Sequence, residues 1–132
     1  MEITASAISL NVADPDASAA FVTDHFGFST EMRADGFHSL SRQDAGFNLI
    51  FLRSGLSTFK PEAQKGPAGG MLVVFVVGDI EADYQRLVDS GVEITTPLQT
   101  EPWGERFLQV TDPNGIVIQL VQWVTSPSDQ PD

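Results

Sequence analysis

The chain has 132 residues, 42% of them hydrophobic, and its 18 acidic and 7 basic residues give a formal net charge of −11. The absence of cysteine excludes a disulfide framework, a Cys-ligated zinc site and a thiol nucleophile. The acidic balance argues against a nucleic acid partner, because phosphate binding needs Lys and Arg, and it favours neutral or cationic partners. The length and apolar fraction predict one domain with an ordinary core.

The N-terminal sequence Met1–Thr4 has no basic segment followed by a long apolar stretch, so no signal peptide is predicted. No apolar run approaches the roughly 20 residues that span a bilayer. We therefore expect a soluble, cytoplasmic protein without a membrane partner.

The first half of the chain predicts one strand, one helix and three further strands. Ala7–Val12 is a short apolar stretch with β-branched residues, as in a strand. Asp14 is a suitable N-cap, Pro15 fits the first helical turn, and Gly27 is expected to end the helix. Apolar residues with helical rather than alternating spacing follow the cap: Ala17, Ala20 and Phe21. The three strands are expected at about 28–33, 37–42 and 47–53.

The second half repeats this order of elements. Val12–Ala17 recurs as Val77–Ala82, which predicts a strand over Met71–Val77 and a helix capped by Asp79 and ended by Gly91. Helical spacing is again found at Ala82, Leu87 and Val88. Strands are expected at about 92–96, 106–111 and 116–123, the last two joined by the turn Asp112–Gly115. The sequence thus predicts the unit βαβββ twice.

The repeated unit carries three short motifs: Val-x-Asp before each helix, Gly27-Phe28 after the first helix, and Asp-Pro-x-Gly before the last strand. With these motifs it resembles the vicinal oxygen chelate superfamily, which includes glyoxalase I, extradiol dioxygenases and bleomycin-resistance proteins. The resemblance implies an α+β fold in which two βαβββ modules form a curved mixed sheet that encloses a cavity. We expect a single domain at 1–124, with modules at 3–53 and 71–124, a connection at 54–70 and a flexible tail at 125–132.

In the enzymes of this superfamily the modules hold a divalent metal that polarises the substrate. The family's ligand positions correspond here to Ala7 and Ile50 in the first module and to Leu72 and Gln119 in the second. None of these side chains is the imidazole or carboxylate that such metals require. The resemblance therefore implies a binding protein with no metal, no cofactor and no catalytic residue.

Within the superfamily, the bleomycin-resistance proteins are the most similar group. Their C-terminal motifs correspond to Pro102-Trp103-Gly104, to Arg106-Phe107 and to Asp112–Gly115. Those proteins sequester drugs as acidic homodimers with ligand sites between subunits. The resemblance implies antibiotic resistance by non-catalytic binding of a DNA-damaging natural product, either an aromatic or anthraquinone-type enediyne or a bleomycin-like glycopeptide.

Candidate ligand-binding residues follow from strand alternation and from this resemblance. Alternation places Gln119 and Trp123 on one face of the last strand, and similarity to the glyoxalase I pocket adds Phe107 and Gln109. Their first-module analogues are expected at His38 and Leu40, beside Asn48, Ile50 and Leu52 on the neighbouring strand. Aromatic and loop contacts to a bound drug map by resemblance to Met32, Phe37, Phe59 and Trp103.

Several alternatives remain open from the residues alone. His38 is expected either to bind the ligand or to pack, and Trp123 either to line the pocket or to lie in a dimer interface. Four acidic residues near the proposed pocket mouth suit a cationic ligand or form part of a solvated surface: Glu31, Asp35, Glu101 and Glu105. The alternative function is a metal-independent lyase, isomerase or oxygenase that acts on a natural-product intermediate through His38 and nearby carboxylates. A third is a small carrier or regulatory subunit of a biosynthetic pathway.

Overall fold

A computed structural model describes residues 1–56 and 66–123. The elements in chain order are β1 (Ala7–Val12), α1 (Pro15–Phe26), β2 (Ser29–Ala34), β3 (Phe37–Ser41), β4 (Asn48–Arg53), β5 (Leu72–Val76), α2 (Ile80–Asp89), β6 (Ile94–Thr100), β7 (Glu105–Thr111) and β8 (Val117–Trp123). The α+β class and the repeated βαβββ order are therefore confirmed. Neither helix in the described ranges is long and apolar enough to cross a membrane.

The chain divides into two compact units, Met1–Gly70 and Met71–Asp132. Each contains one four-stranded mixed sheet, with strand order β1-β4-β3-β2 in the first and β5-β8-β7-β6 in the second. In both units the first strand pairs in parallel with the last, and the other pairs are antiparallel. The identical topology supports the internal repeat that the sequence predicts.

The two helices begin in the same way. The Asp14 carboxylate accepts a hydrogen bond from the Ala17 amide at 3.2 Å, and the Asp79 carboxylate accepts one from the Ala82 amide at 3.1 Å. Each bond satisfies one of the helix N–H groups that have no partner within the helix. Both predicted N-caps are thus confirmed.

The helix ends are also as predicted. Gly27 adopts a left-handed conformation (φ 70°), and its amide and that of Phe28 both donate to the Val22 carbonyl. In the second unit Gly91 (φ 79°) follows the cap residue Ser90, and the Val92 amide donates to the Leu87 carbonyl at 3.0 Å. A left-handed residue after a helix favours glycine because it has no Cβ.

The helical spacing of Ala17, Ala20 and Phe21 agrees with the observed helix, but these residues are not its buried side chains. Its buried side chains are Pro15, Ser18, Ala19, Val22 and Phe26, whereas Ala20 is exposed. Ala17, Ala20 and Phe21 thus lie beside the stripe that packs on the sheet. Phe21 does not join that stripe and makes an edge contact with the His25 ring. In α2 only Ile80 and Leu87 are buried, and Val88 is exposed.

Each sheet has a helix face, which packs against the helix of its own unit, and an opposite side that we term the far face. Buried side chains of the first helix face include Leu10, Leu40, Leu49 and Phe51. Those of the second include Leu108, Val110, Ile118 and Leu120. Because side chains alternate along a strand, the residues between these core positions point to the far faces.

Candidate functional site

Five predicted ligand-binding residues share the far face of the first sheet. The alternation of β4 places there Asn48, Ile50 and Leu52, all partly exposed. Their register with β3, and that of β3 with β2, adds Phe37 opposite Leu52 and Met32 opposite Ser39. This part of the predicted set is therefore brought together by the sheet.

His38 and Leu40 lie on the helix face instead, which corrects their predicted position beside Asn48, Ile50 and Leu52. Leu40 is fully buried and His38 is 8% exposed. Phe37 pairs with Leu52 in the first unit, and Phe107 pairs with Val121 at the corresponding position of the second. The first-unit analogue of Phe107 is therefore Phe37, and that of Gln109 is Ser39. A shift of one residue turns every side chain of a strand to the other face.

His38 joins α1 to two strands. Its Nε2 lies 2.8 Å from the Thr30 hydroxyl on β2, and its Nδ1 lies 3.3 Å from the Asp16 carboxylate on α1. The other Asp16 oxygen accepts a hydrogen bond from Arg33 at 3.2 Å. The hydrogen bond to His38 and the Arg33 charge together lower the pKa of Asp16 below its ordinary value of 3.8.

Two contacts identify the helix face of the second sheet and, by alternation, its far face. Arg106 on β7 pairs with Glu81 of α2 at 2.9 Å, and Gln122 on β8 accepts a hydrogen bond from the Ile80 amide at 2.9 Å. The far face therefore carries the predicted residues Phe107, Gln109, Gln119 and Trp123.

A chain of neutral polar side chains crosses this far face. The Thr96 hydroxyl on β6 donates to the Gln109 amide oxygen at 2.8 Å, and the Gln109 amide nitrogen donates to the Gln119 amide oxygen at 2.7 Å. The three residues are cross-strand neighbours in the sheet register. Beyond Gln119 the next strand presents Val74, an apolar side chain that is 40% exposed.

Trp103 lies in the turn between β6 and β7. The turn is held by the Glu101 amide, which donates to the Glu105 carbonyl at 2.8 Å, and by the Gly104 amide, which donates to the Glu101 carbonyl at 3.0 Å. The Trp103 side chain is 52% exposed. Phe59, the remaining predicted aromatic contact, lies outside the described residues.

Two of the four acidic residues proposed for the pocket mouth have protein partners. The Glu31 carboxylate accepts a hydrogen bond from Ser41. Asp35 pairs with Arg53 at 2.7 Å, and hydrogen bonding to this guanidinium lowers the pKa of Asp35. Asp35 is thus partly neutralised and offers less attraction to a cationic ligand than its charge alone suggests.

The residues at the family's metal positions do not fit a metal ion. Ala7 and Leu72 lie on the first strand of each sheet, and Ile50 and Gln119 lie on the last. A methyl group, two branched alkyl groups and a neutral amide provide none of the imidazole or carboxylate ligands that such a centre needs. Within 1–56 and 66–123, no group of three or more His, Asp or Glu side chains is placed to hold one.

Sequence reasoning missed Thr96, Ser39 and Val74. The alternation of β6 is interrupted, because its register with β7 shifts on both sides of Thr96, so no pattern marks that residue. Ser39 and Val74 are, in contrast, detectable once register is considered, since they are cross-strand partners of Ile50 and Gln119.

The sequence matches the family model of the Glyoxalase/Bleomycin resistance protein/Dioxygenase superfamily over residues 4–120. With the duplicated fold and the position of its motifs established, the chain belongs to this superfamily. A comparison with individual curated proteins finds no match.

Solved structures with the same fold include both an enzyme and a binding protein. A lactoylglutathione lyase from Agrobacterium tumefaciens is 18% identical, with a TM-score of 0.73 over 92% of this chain and 96% of that one. TioX from Micromonospora sp. ML1 is 24% identical, with a TM-score of 0.72 over 92% and 99% of the two chains. TnmS3, an antibiotic binding protein from Streptomyces sp. CB03234, is 24% identical, with a TM-score of 0.70 over 92% and 98%. At these identities the likeness establishes the fold and leaves the activity to the residues of the site.

Proposed function

We propose that this protein confers antibiotic resistance by binding and sequestering a DNA-damaging natural product without converting it. The ligand is an aromatic or anthraquinone-type enediyne or a bleomycin-like glycopeptide. It is held in the cytoplasm by a homodimer that carries its ligand sites between subunits. The contacts come from the far-face residues Met32, Phe37, Asn48, Ile50, Leu52, Phe107, Gln109, Gln119 and Trp123, with Phe59 and Trp103 from loops.

One observation carries this proposal: neutral amide groups lie among apolar and aromatic side chains on the far face of the second sheet. Gln109 and Gln119 form a hydrogen-bonded pair there, beside Phe107 and the exposed Val74. Such a surface suits a planar ligand, because rings stack on apolar and aromatic groups while amides bind carbonyl and hydroxyl substituents. TnmS3, which has the same fold, is an antibiotic binding protein, so the fold is compatible with this function.

The experiment is a ligand screen read by melting temperature and by tryptophan fluorescence. Bleomycins, enediynes, anthracyclines and mitomycins are added to the whole protein with and without a chelator. A ligand of the native state raises the melting temperature by mass action, by an amount set by its concentration relative to Kd. Trp103 and Trp123 are both exposed and serve as quenching reporters. We expect at least one compound to bind in the presence of chelator, and a screen without any binder would contradict the proposal.

The second candidate function, a metal-independent enzyme, is favoured by the contacts of His38. An imidazole between a hydroxyl and a carboxylate is an arrangement that general bases use, and here it joins Thr30 and Asp16. These groups lie on the helix face of the first sheet. Turnover of a bound compound that is lost in His38→Ala, with the fold retained, would favour the enzyme over the binding protein.

A further inference from the structure

The Thr96–Gln109–Gln119 chain is built from groups that both donate and accept hydrogen bonds. A hydroxyl and a primary amide each carry both functions. The two contacts, at 2.8 Å and 2.7 Å, therefore satisfy the same number of groups in either direction. In one direction the chain ends in the Gln119 NH2 group, and in the other it ends in the Gln119 carbonyl oxygen.

The position of Gln119 makes this free end the contact that matters for a ligand. The cross-strand partner of Gln119 on β5 is Val74, whose side chain has no hydrogen-bonding group. Two further exposed apolar side chains of β5 lie on the same side as Val74, Leu72 at 49% and Val76 at 67%. The polar side chains thus end at Gln119, beside an apolar strip formed by Leu72, Val74 and Val76. A ligand whose ring system covers this strip brings its ring substituents to Gln119.

The first sheet has no counterpart of this chain in its described residues. The positions that correspond to Gln109 and Gln119 are Ser39 and Ile50, and an isoleucine side chain makes no hydrogen bond. The Thr96–Gln109–Gln119 hydrogen-bond chain therefore belongs to the second unit alone and does not follow from the fold that both units share.

We propose that the Thr96–Gln109–Gln119 hydrogen bonds form a relay of reversible direction. In one direction the site binds the carbonyl acceptor of a planar apolar ligand, and in the other it binds a hydroxyl or N–H donor. The proposal rests on the proposed binding function and specifies the chemistry of its ligand. A ligand that interconverts between keto and enol forms, by moving one proton within the molecule, stays bound in both forms. Reversal requires only rotation of two amides and one hydroxyl, with no change in the charge of the protein.

Three tricyclic probes of nearly the same shape test the relay: fluorene, fluorenone and carbazole. They carry at the same ring position a CH2 group without hydrogen bonding, a carbonyl acceptor and an N–H donor. One net hydrogen bond is worth roughly threefold to tenfold in Kd. In the wild-type protein we expect fluorenone and carbazole each to bind about threefold to tenfold tighter than fluorene, measured by tryptophan quenching in a chelator-containing buffer.

Variants of Gln119 separate the two directions. Gln119→Glu presents only acceptor oxygens at neutral pH, so carbazole is expected to keep its advantage over fluorene while fluorenone loses it. Gln119→Leu is expected to remove both advantages. Gln122→Leu is the matched control, because Gln122 lies on the helix face of the same strand. It is expected to leave both advantages in place.

The outcomes distinguish the relay from the function on which it rests. If all three probes bind but only one of fluorenone and carbazole exceeds fluorene in the wild type, the direction is fixed and the relay is wrong. If both exceed fluorene and remain so in Gln119→Leu, the contact is elsewhere and the relay is also wrong. If none of the probes binds to the wild type, the proposed binding of planar ligands itself is contradicted. If Gln119→Leu does not fold, Gln119→Glu supplies the test, because a selective loss of the fluorenone advantage is expected only if Gln119 makes the contact.

Discussion

At the scale of single residues, the neighbours Phe37 and His38 point to opposite faces of the first sheet, because side chains alternate along β3. His38 is buried on the helix face of the first unit and connects Thr30 on β2 to Asp16 on α1. Phe37 lies on the far face opposite Leu52. Under the proposed function, this adjacent pair separates stability from ligand binding within one strand.

We predict that His38→Ala lowers the free energy of unfolding by about 1–3 kcal/mol, because a buried side chain and its two hydrogen bonds are lost. Affinity for the tightest binder from the ligand screen is expected to stay unchanged. Phe37→Ala is the matched variant, and, under the proposed function, it should weaken binding of that compound with a smaller effect on stability. Urea unfolding and fluorescence titration measure the two quantities. Loss of binding in His38→Ala with stability retained would contradict the assignment of faces.

A second prediction concerns acid stability. The pKa of Asp16 is lowered in the folded state, first by its hydrogen bond to His38 and then by Arg33. Hydrogen bonds to Arg53 and Arg42 likewise lower the pKa values of Asp35 and Asp44. A carboxyl whose folded pKa is depressed stabilises the fold above its unfolded pKa, and this contribution is lost as the pH falls through the folded pKa. Stability should therefore decrease below about pH 4.

The test is the melting temperature at pH 7 and pH 3 in Asp16→Asn. Because the amide does not titrate, the decrease between the two pH values should be smaller than in the wild type. Thr23→Ala, an exposed substitution on the same helix, controls for unspecific effects on α1. An equal decrease in wild type and Asp16→Asn would show that Asp16 makes no contribution to acid stability.

At the scale of elements, the end of α1 depends on Gly27. This residue has φ 70°, and an added Cβ would lie 2.9 Å from Arg42 Nη1. The same Arg42 nitrogen donates to the Phe26 carbonyl at 2.6 Å, so a shift of the side chain disturbs the helix end as well.

We predict that Gly27→Ala lowers the free energy of unfolding by about 1–2 kcal/mol, the typical cost of a left-handed conformation for an L-residue. Gly46→Ala is the control, because nothing lies within 4 Å of its added Cβ and its backbone is not left-handed. It should be neutral or slightly stabilising, since it reduces the entropy of the unfolded chain. Equal effects of the two substitutions in chemical denaturation would rule out the helix-end explanation.

The elements themselves were predictable because their signals are local. Asp14, Asp79, Gly27 and Gly91 mark the helix ends in the sequence and act there in the structure. The face of β3 was not predictable in the same way, because alternation gives a period of two without saying which face each residue occupies. Cross-strand pairing of Phe37 with Leu52 fixes the face, and pairing is a tertiary property.

The candidate site was predictable in part for the same reason. Gln119 and Gln109 were found through alternation and resemblance, but their hydrogen bond and its extension to Thr96 depend on the register of three strands. The irregular pairing of β6 hides Thr96 from any periodic pattern. Local sequence thus identified the strands of the site, while register decided which side chains form it.

At the scale of the whole molecule, the chain combines the fold of a metal-enzyme superfamily with side chains that do not fit its metal. The positions Ala7, Ile50, Leu72 and Gln119 offer alkyl groups and one amide. The net charge of −11 lies mainly in exposed carboxylates, whereas the far-face residues proposed for the ligand are neutral. Under the proposed function, this separation favours a ligand that is itself largely neutral, with the carboxylates forming a solvated surface.

The central claim, binding without conversion, is tested most directly by recovering the ligand. The tightest binder from the screen is incubated with an equal amount of protein for several hours, the protein is denatured, and the released compound is quantified by mass spectrometry. We predict one equivalent of chemically unchanged ligand per protomer. Recovery of a converted product, particularly when ligand in excess over protein is consumed, would contradict the claim and identify the protein as an enzyme.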